Sequence, residues 1–210
     1  MSELLKRTIV GGALIVVALG TAVIGGTWFA VLVAAAAAMM FVEWTRMVRG
    51  WGVHWLVAGF GYALIPALAL LWIRERGAHS LETLVWVFIV TWSTDIGAYF
   101  AGRAIGGPKL APRISPNKTW AGLVGGMVAA ALFGALWVAQ FDLPCLLLLL
   151  APLFAIGAQV GDLFESGLKR RAGVKDSGTI LPGHGGVMDR LDGLVVVASL
   201  AALAELAGWI

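Results

Sequence analysis

Residues 146–171 read LLLLLAPLFAIGAQVGDLFESGLKRR, an apolar run that closes on two acids and three consecutive cations. Together with Leu143, Pro144 and Cys145 it forms an apolar window at 143–164. That is long enough for a helix crossing a bilayer, which needs roughly 20 mostly apolar residues. Working outward, the same reading finds windows at 8–25, 27–43, 52–73, 83–101, 120–140 and 187–208. Seven such helices use about two-thirds of a 210-residue chain and leave little for a separate soluble domain. The composition agrees: 60% apolar, 13% charged, and a mean hydropathy of +0.91. A soluble domain is nearer half apolar and a quarter charged, and a disordered chain lacks this apolar content. The sequence therefore predicts an all-α, polytopic integral membrane protein forming one domain over 1–210.

Orientation follows from the cations, because cytoplasmic segments of membrane proteins carry the excess of Lys and Arg. With a cytoplasmic N-terminus and seven transmembrane helices, thirteen of the fifteen Lys and Arg residues fall inside. Only Arg74 and Arg76 fall outside, in the loop that carries His79 and Glu82. The Lys6-Arg7 start resembles the basic region of a signal peptide, but the apolar stretch runs on into a second one. It is expected to be a retained helix. The first two windows are separated by Gly25, Gly26 and Thr27 and suit a tight helical hairpin.

Much of the rest reads as packing. Ala34–Ala38 and the Gly125-Gly126 pair offer small residues where helix backbones can approach closely. Trp28, Trp44, Trp51, Trp72, Trp120 and Trp209 lie near window ends, as interfacial anchors do. Cys145, the single cysteine, cannot form an internal disulfide and is expected to be a buried, inert thiol. A net charge of +3 is a small excess and gives no footprint for a nucleic-acid partner.

Two segments depart from that pattern. In WSTDIGAYFAGRAIGGPKLAPRISPNKTWAG, residues 92–122, Asp95 stands inside an apolar window. A carboxylate there costs about 2.5–3.5 kcal/mol on insertion scales, so it faces a bundle interior and carries function, or pairs with a cation such as Arg103. Beyond it, Gly106-Gly107-Pro108 and Ser115-Pro116-Asn117 break the helix, and Lys109, Arg113 and Lys118 follow without an intervening acid. Such a loop suits a phosphate cradle or, equally, attraction to anionic lipid.

The second segment, residues 160–193, is VGDLFESGLKRRAGVKDSGTILPGHGGVMDRLDG. Asp162, Glu165, Ser166 and Lys169 fall on one helix face. A glycine-rich loop with Lys175, Asp176, His184, Gly185 and Gly186 follows, and Asp189 and Asp192 then stand three apart where the last helix begins. Paired carboxylates there suit a hard cation such as Mg2+, and helix capping alone would account for one acid rather than four. Carboxylates, cations and glycine-rich backbone together at a membrane surface are the requirements of phosphoryl or nucleotidyl transfer. An acceptor that is itself a phosphate is already anionic, so no dedicated general base is needed. His184 has the option of contacting phosphate or base.

These residues resemble the signature of the phosphatidate cytidylyltransferase (CDP-diacylglycerol synthase) family. The resemblance runs through Asp162, Glu165, Ser166, Lys169, Arg170, Lys175, Asp176, Pro182, His184, Gly185, Gly186, Asp189, Arg190 and Asp192. It also covers Asp95, Gly97, Tyr99, Gly102 and Arg103, then Ser115, Pro116, Lys118, Thr119 and Trp120. It implies transfer of CMP from CTP to phosphatidic acid, giving CDP-diacylglycerol and pyrophosphate for phospholipid biosynthesis. On this resemblance 83–210 is the catalytic part and 8–82 supplies N-terminal helices. Catalysis falls to Asp162, Asp189, Asp192, Lys169 and Lys175, and the metal, Mg2+ with one cation or two, to Asp162, Asp189 and Asp192. Substrate contacts fall to Asp95, Arg103, Ser115, Lys118, Thr119, Ser166, Arg170, Asp176, His184, Gly185, Gly186 and Arg190. The resemblance further implies a homodimer in the bacterial inner membrane with its site facing the cytoplasm.

The chain departs from the family in carrying Ala121 where members commonly have Glu, and Gly193 where Ser is frequent. It is also shorter than many members, on the N-terminal side. Two other readings stay open: a cytidylyltransferase for another lipid phosphate, and, in a different class, an ion-coupled transporter using Asp95 and Asp162.

Overall fold

The computed structural model describes residues 3–181 and 185–210, with side chains from position 9 onward. Every apolar window becomes a helix: α1 (Glu3–Ile24), α2 (Gly26–Met47), α3 (Val53–Glu75), α4 (Ser80–Ala104), α5 (Trp120–Phe141), α6 (Leu146–Ala172) and α7 (Met188–Leu206). Five of them, α2 to α6, are long and apolar enough to cross a membrane by themselves. In α1 the apolar part is Ile9–Ile24, and α7 opens on Asp189, Arg190 and Asp192, which shortens its apolar length. Large apolar side chains such as Val16, Val57, Val128 and Leu149 are exposed along these helices. A water-soluble chain rarely exposes so much contiguous apolar surface, whereas lipid covers it without cost. The protein is an all-α membrane protein.

Where the sequence suggests only a loop, residues 109–119 form a small antiparallel hairpin, β1 (Lys109–Ala111) and β2 (Ser115–Thr119). Strands of three and five residues are too short to show alternation, so turn residues alone are legible there. Thr119 ends the hairpin and caps α5, its Oγ1 accepting a hydrogen bond from Gly122 N at 3.0 Å.

Close helix contact fixes the site-bearing half. A Cβ placed on Gly97 of α4 would stand 2.6 Å from the Gly125 carbonyl oxygen of α5. Only glycine lets the two backbones meet, as expected of the Gly125-Gly126 pair. The main buried core includes Trp86, Val90, Ala130, Leu147, Ala151 and Ala198 of α4 to α7 and extends to α1, α2 and α3 through Ala22, Phe29 and Ile73.

The two arginines that the orientation reading expects outside, Arg74 and Arg76, have local partners. Arg74 donates through Nε to the Ala22 carbonyl oxygen at 2.6 Å, and through Nη2 to that of Val23 at 3.2 Å. It thereby serves carbonyls that α1 leaves unpaired at its C-terminus. The Arg76 guanidinium lies 3.9 Å from the centre of the Trp72 ring.

Three packing expectations change. Cys145 is exposed at the start of α6, because the leucine run follows it rather than surrounding it. Trp44 is buried instead of interfacial, since its Nε1 reaches the Trp55 carbonyl oxygen at 2.7 Å and its ring lies over Gly59. Within the alanine block, Ala36 and Ala37 are partly buried, while Ala34, Ala35 and Ala38 are exposed.

Candidate active site

A cavity of about 650 Å³ opens where α4, the hairpin, α5, α6 and α7 converge. Its lining includes Asp95, Tyr99, Gly102 and Arg103 of α4, Asn117 to Thr119 of the hairpin, and Gln159 and Asp162 of α6. Asp189, Arg190 and Asp192 of α7 complete it. Segments far apart in sequence thus meet around one polar space inside an apolar bundle.

Each wall has a local cause. On α6, the end of the apolar run brings Asp162 to the cavity, where its Oδ2 pairs with Lys118 Nζ at 2.5 Å. Ser166 Oγ donates to Asp162 Oδ1 at 3.2 Å, the expected one-turn spacing. Lys118 Nζ also donates to Gln159 Oε1 at 2.8 Å. This hairpin lysine is therefore drawn down onto α6. Across the cavity α7 lies against α6 so closely that a Cβ on Gly161 would collide with the Asp192 carbonyl oxygen. That contact sets Asp162 and Asp192 on the same cavity.

Asp95 makes no hydrogen bond or ion pair among the described residues, and it is open to the cavity. Arg103, its expected partner in the packing reading, instead donates to the Tyr99 hydroxyl at 3.1 Å.

Behind the cavity lies a second polar layer. Lys169 Nζ contacts Asp189 Oδ1 at 2.6 Å and Glu165 Oε1 at 3.1 Å. Asp189 Oδ2 accepts from Ser177 N at 2.9 Å, Ser177 Oγ at 3.0 Å and Gly186 N at 2.8 Å. Hydrogen bonds from backbone N–H groups and an ammonium favour the ionised carboxylate and fix its direction. Glu43 of α2 closes this layer, accepting from Val187 N and Met188 N, and its Oε2 shares the single Ser177 hydroxyl proton with Asp189 Oδ2.

Of the residues expected from sequence, the cavity gathers Asp95, Arg103, Lys118, Thr119, Asp162, Asp189, Arg190 and Asp192. Lys169 and Ser166 stand just behind it, each holding one of its aspartates. Gly186 supplies a backbone donor, and Gly185 takes a positive φ of 82° in the turn before it. Ser115 pairs with Ala111 in the hairpin, and Arg170 donates through Nε to the Ile114 carbonyl oxygen at 3.3 Å. Lys175 and Asp176 are exposed in the loop after α6, away from the cavity lining. His184 lies outside the described residues. The sequence reading passed over Gln159, Asn117, Ser177 and Glu43. The signal for Glu43 was the one used for Asp95, an acid set in an apolar run.

Among the described residues, no three His, Cys, Asp or Glu side chains converge tightly enough to cage a metal ion. Mg2+ rarely needs such a cage. It binds through one or two carboxylates and keeps substrate phosphates and water for the remaining positions. Carboxylates from α6 and α7 opening on one cavity are hard oxygen donors of that kind, so the residues fit the ion.

The model of the cytidylyltransferase family matches residues 51–206. The chain belongs to this family. A phosphatidate cytidylyltransferase of Brucella suis biovar 1 (strain 1330) is 50% identical over 179 residues, covering 82% of this chain and 63% of the relative. One from Bacillus subtilis (strain 168) is 48% identical over 128 residues, 60% of this chain and 48% of the relative. One from Rickettsia bellii (strain RML369-C) is 35% identical over 181 residues, 82% and 78% respectively. The chain thus spans about 63% of the length of the Brucella relative. The match covers all of the cavity and its hairpin, while α1, α2 and therefore Glu43 lie before it.

Proposed function

We propose that this chain transfers CMP from CTP to phosphatidic acid, forming CDP-diacylglycerol and pyrophosphate. The observation that carries the reading is the cavity itself. Carboxylates and cations are collected at one place in an apolar bundle, by a member of a nucleotidyl-transferring family. Both substrates are anionic phosphates, and one of them brings two acyl chains that need apolar surroundings.

In this reading a phosphate oxygen of phosphatidate attacks the α-phosphorus of CTP. The bond from that phosphorus to the bridging oxygen breaks, and pyrophosphate leaves with the electron pair. The attacking oxygen is ionised near neutral pH, so the protein's task is to position two phosphates and offset their repulsion. Arg103, Lys118 and Arg190 present positive charge around the cavity for that purpose. Tyr99 steers the Arg103 guanidinium, while Gln159 and Asp162 steer Lys118. A Mg2+ ion would draw its protein ligands from Asp162, Asp189 and Asp192. When bound, it would neutralise the charge that develops on phosphate oxygens.

The thirteen-to-two division of Lys and Arg supports seven spans, a cytoplasmic N-terminus and a cavity on the cytoplasmic side of a bacterial inner membrane. A homodimer belongs to the same proposal. Nucleotidyl transfer is favoured over ion transport because the family match includes every cavity element.

The test is direct. Purified chain in phosphatidate-containing micelles with labelled CTP and Mg2+ is expected to yield labelled CDP-lipid and pyrophosphate. Folded protein that makes neither refutes the activity. The same assay across other lipid phosphates decides whether phosphatidate is the preferred acceptor.

A further inference from the structure

Glu43 is the only acidic residue between Glu3 and Glu75, and it sits in a helix otherwise suited to spanning a membrane. It has no solvent exposure. A carboxylate is expensive to bury unless hydrogen bonds or opposite charge compensate it. Here the compensation comes from the start of α7 and from Ser177 in the loop after α6. Oε1 accepts from Val187 N at 2.9 Å, and Oε2 accepts from Met188 N at 2.9 Å and from Ser177 Oγ at 3.0 Å.

The first amides of a helix have no partners within it, and its N-terminus carries partial positive charge. Usually the residue just ahead of the helix supplies the cap. In α7 that position is Val187, whose side chain cannot. Glu43 provides the cap from a different helix, 144 residues away.

The same carboxylate reaches Ser177, whose backbone N–H donates to Asp189 and whose single hydroxyl proton lies between Asp189 Oδ2 and Glu43 Oε2. Glu43, Ser177 and Asp189 therefore join α2, the loop after α6 and the first turn of α7. The surroundings leave no slack: a Cβ on Gly186 would lie 2.6 Å from Glu43 Oε2, and one on Gly178 2.5 Å from Oε1. Glu43 is absent from the cavity lining, but the turn it holds supplies Asp189, Arg190 and Asp192.

We infer that Glu43 is a positioning residue for the transfer reaction, a carboxylate clamp that sets the first turn of α7 so that its aspartates face the substrates. The inference rests on the proposed cytidylyltransferase activity. It also gives the N-terminal helices a part in the site, although they lie outside the family match.

Glu43→Gln tests it with the full chain in micelles. Glutamine has the same shape, but its amide end donates, so at least one of the three hydrogen bonds is lost. Expected is a fall in kcat of about tenfold or more with KM for CTP held within about threefold, as for loss of an orienting partner. Backbone amides at 186–188 should exchange faster with solvent. Glu43→Asp, which keeps the charge, should recover part of the loss. Ser177→Ala, which leaves both amide bonds to Glu43 in place, should lose less than Glu43→Gln.

Unchanged kcat and unchanged amide exchange in folded Glu43→Gln would overturn the clamp. So would a variant that melts earlier but turns over normally per folded molecule. Should Glu43→Gln fail to give monodisperse protein, kcat and amide exchange of Glu43→Asp and Ser177→Ala decide by the same criteria. Wild-type chain inactive on CTP and phosphatidate would refute the function reading instead, and amide exchange would still report on the clamp.

Discussion

Asp95 and Glu43 are both carboxylates set in long apolar helices, and the chain treats them in opposite ways. Asp95 opens into the cavity without a hydrogen bond or ion pair among the described residues, whereas Glu43 is fully buried, accepting from two backbone amides and sharing the Ser177 hydroxyl. The contrast extends to their neighbourhoods. On the cavity side, Asp162 and Lys118 are held by two contacts each and remain within reach of a ligand. On the sealed side, Glu43, Ser177 and Lys169 spend their hydrogen-bonding capacity on protein. Asp189 belongs to both, lining the cavity while its oxygens face four donor contacts. An acid in an apolar helix therefore signals a functional region without saying whether it meets the substrate or holds the group that does.

The largest effects should come where the two regions meet. Asp162→Asn and Asp189→Asn should each lower turnover by about a thousandfold or more, as losses of transition-state contacts do. They should part company in stability. Removing charge from Asp189 leaves Lys169 and the Ser177 and Gly186 amides poorly matched, at a cost of about 2–4 kcal/mol. Asp162 is more open, with its carboxylate 31% exposed, and its loss should change thermal stability little. Activity and melting temperature measured together on both variants check this. If Asp189→Asn melts like wild type, its place in the sealed network is wrong.

A smaller effect is expected one step from the cavity. Gln159→Ala removes the neutral acceptor for Lys118 and leaves Asp162 as its anchor among the described residues. We expect kcat/KM to fall about tenfold, comparable to the loss of a supporting partner. Steady-state kinetics with varied CTP would show it, and a value within twofold of wild type would mean that Lys118 needs no second anchor.

How far sequence reaches is clear from these same residues. The helices are legible because their windows are long and predominantly apolar, and the cavity aspartates because acids in or beside such windows are rare. The one-turn spacing of Asp162 and Ser166 also carried over into contact. Pairings across the fold were not legible. Nothing near Lys118 in sequence points to Gln159, 41 residues on, nor does Val187 indicate that its amide is capped from α2. Ser177 gives no sign of its role in sequence, because both of its carboxylate partners lie on other elements of the fold. The hairpin escaped because its strands span three and five residues.

The smallest effect tests whether polar chemistry is confined to one end of α7. Glu205 lies 13 residues beyond Asp192, about 20 Å along a helix rising 1.5 Å per residue. Among the described residues its Oε2 is buried without a hydrogen-bond partner, and the opposing charge that acts on it is Arg76, before α4. Neither Arg76 nor Glu205 touches the cavity. Glu205→Gln should leave kcat and KM for CTP within experimental scatter of wild type, measured in the same micelles as the aspartate variants. A loss of several-fold would show that the two ends of α7 are coupled. The first turn would then be set from its far end as well as by Glu43, and the division between an open cavity and one sealed layer behind it would no longer describe the site.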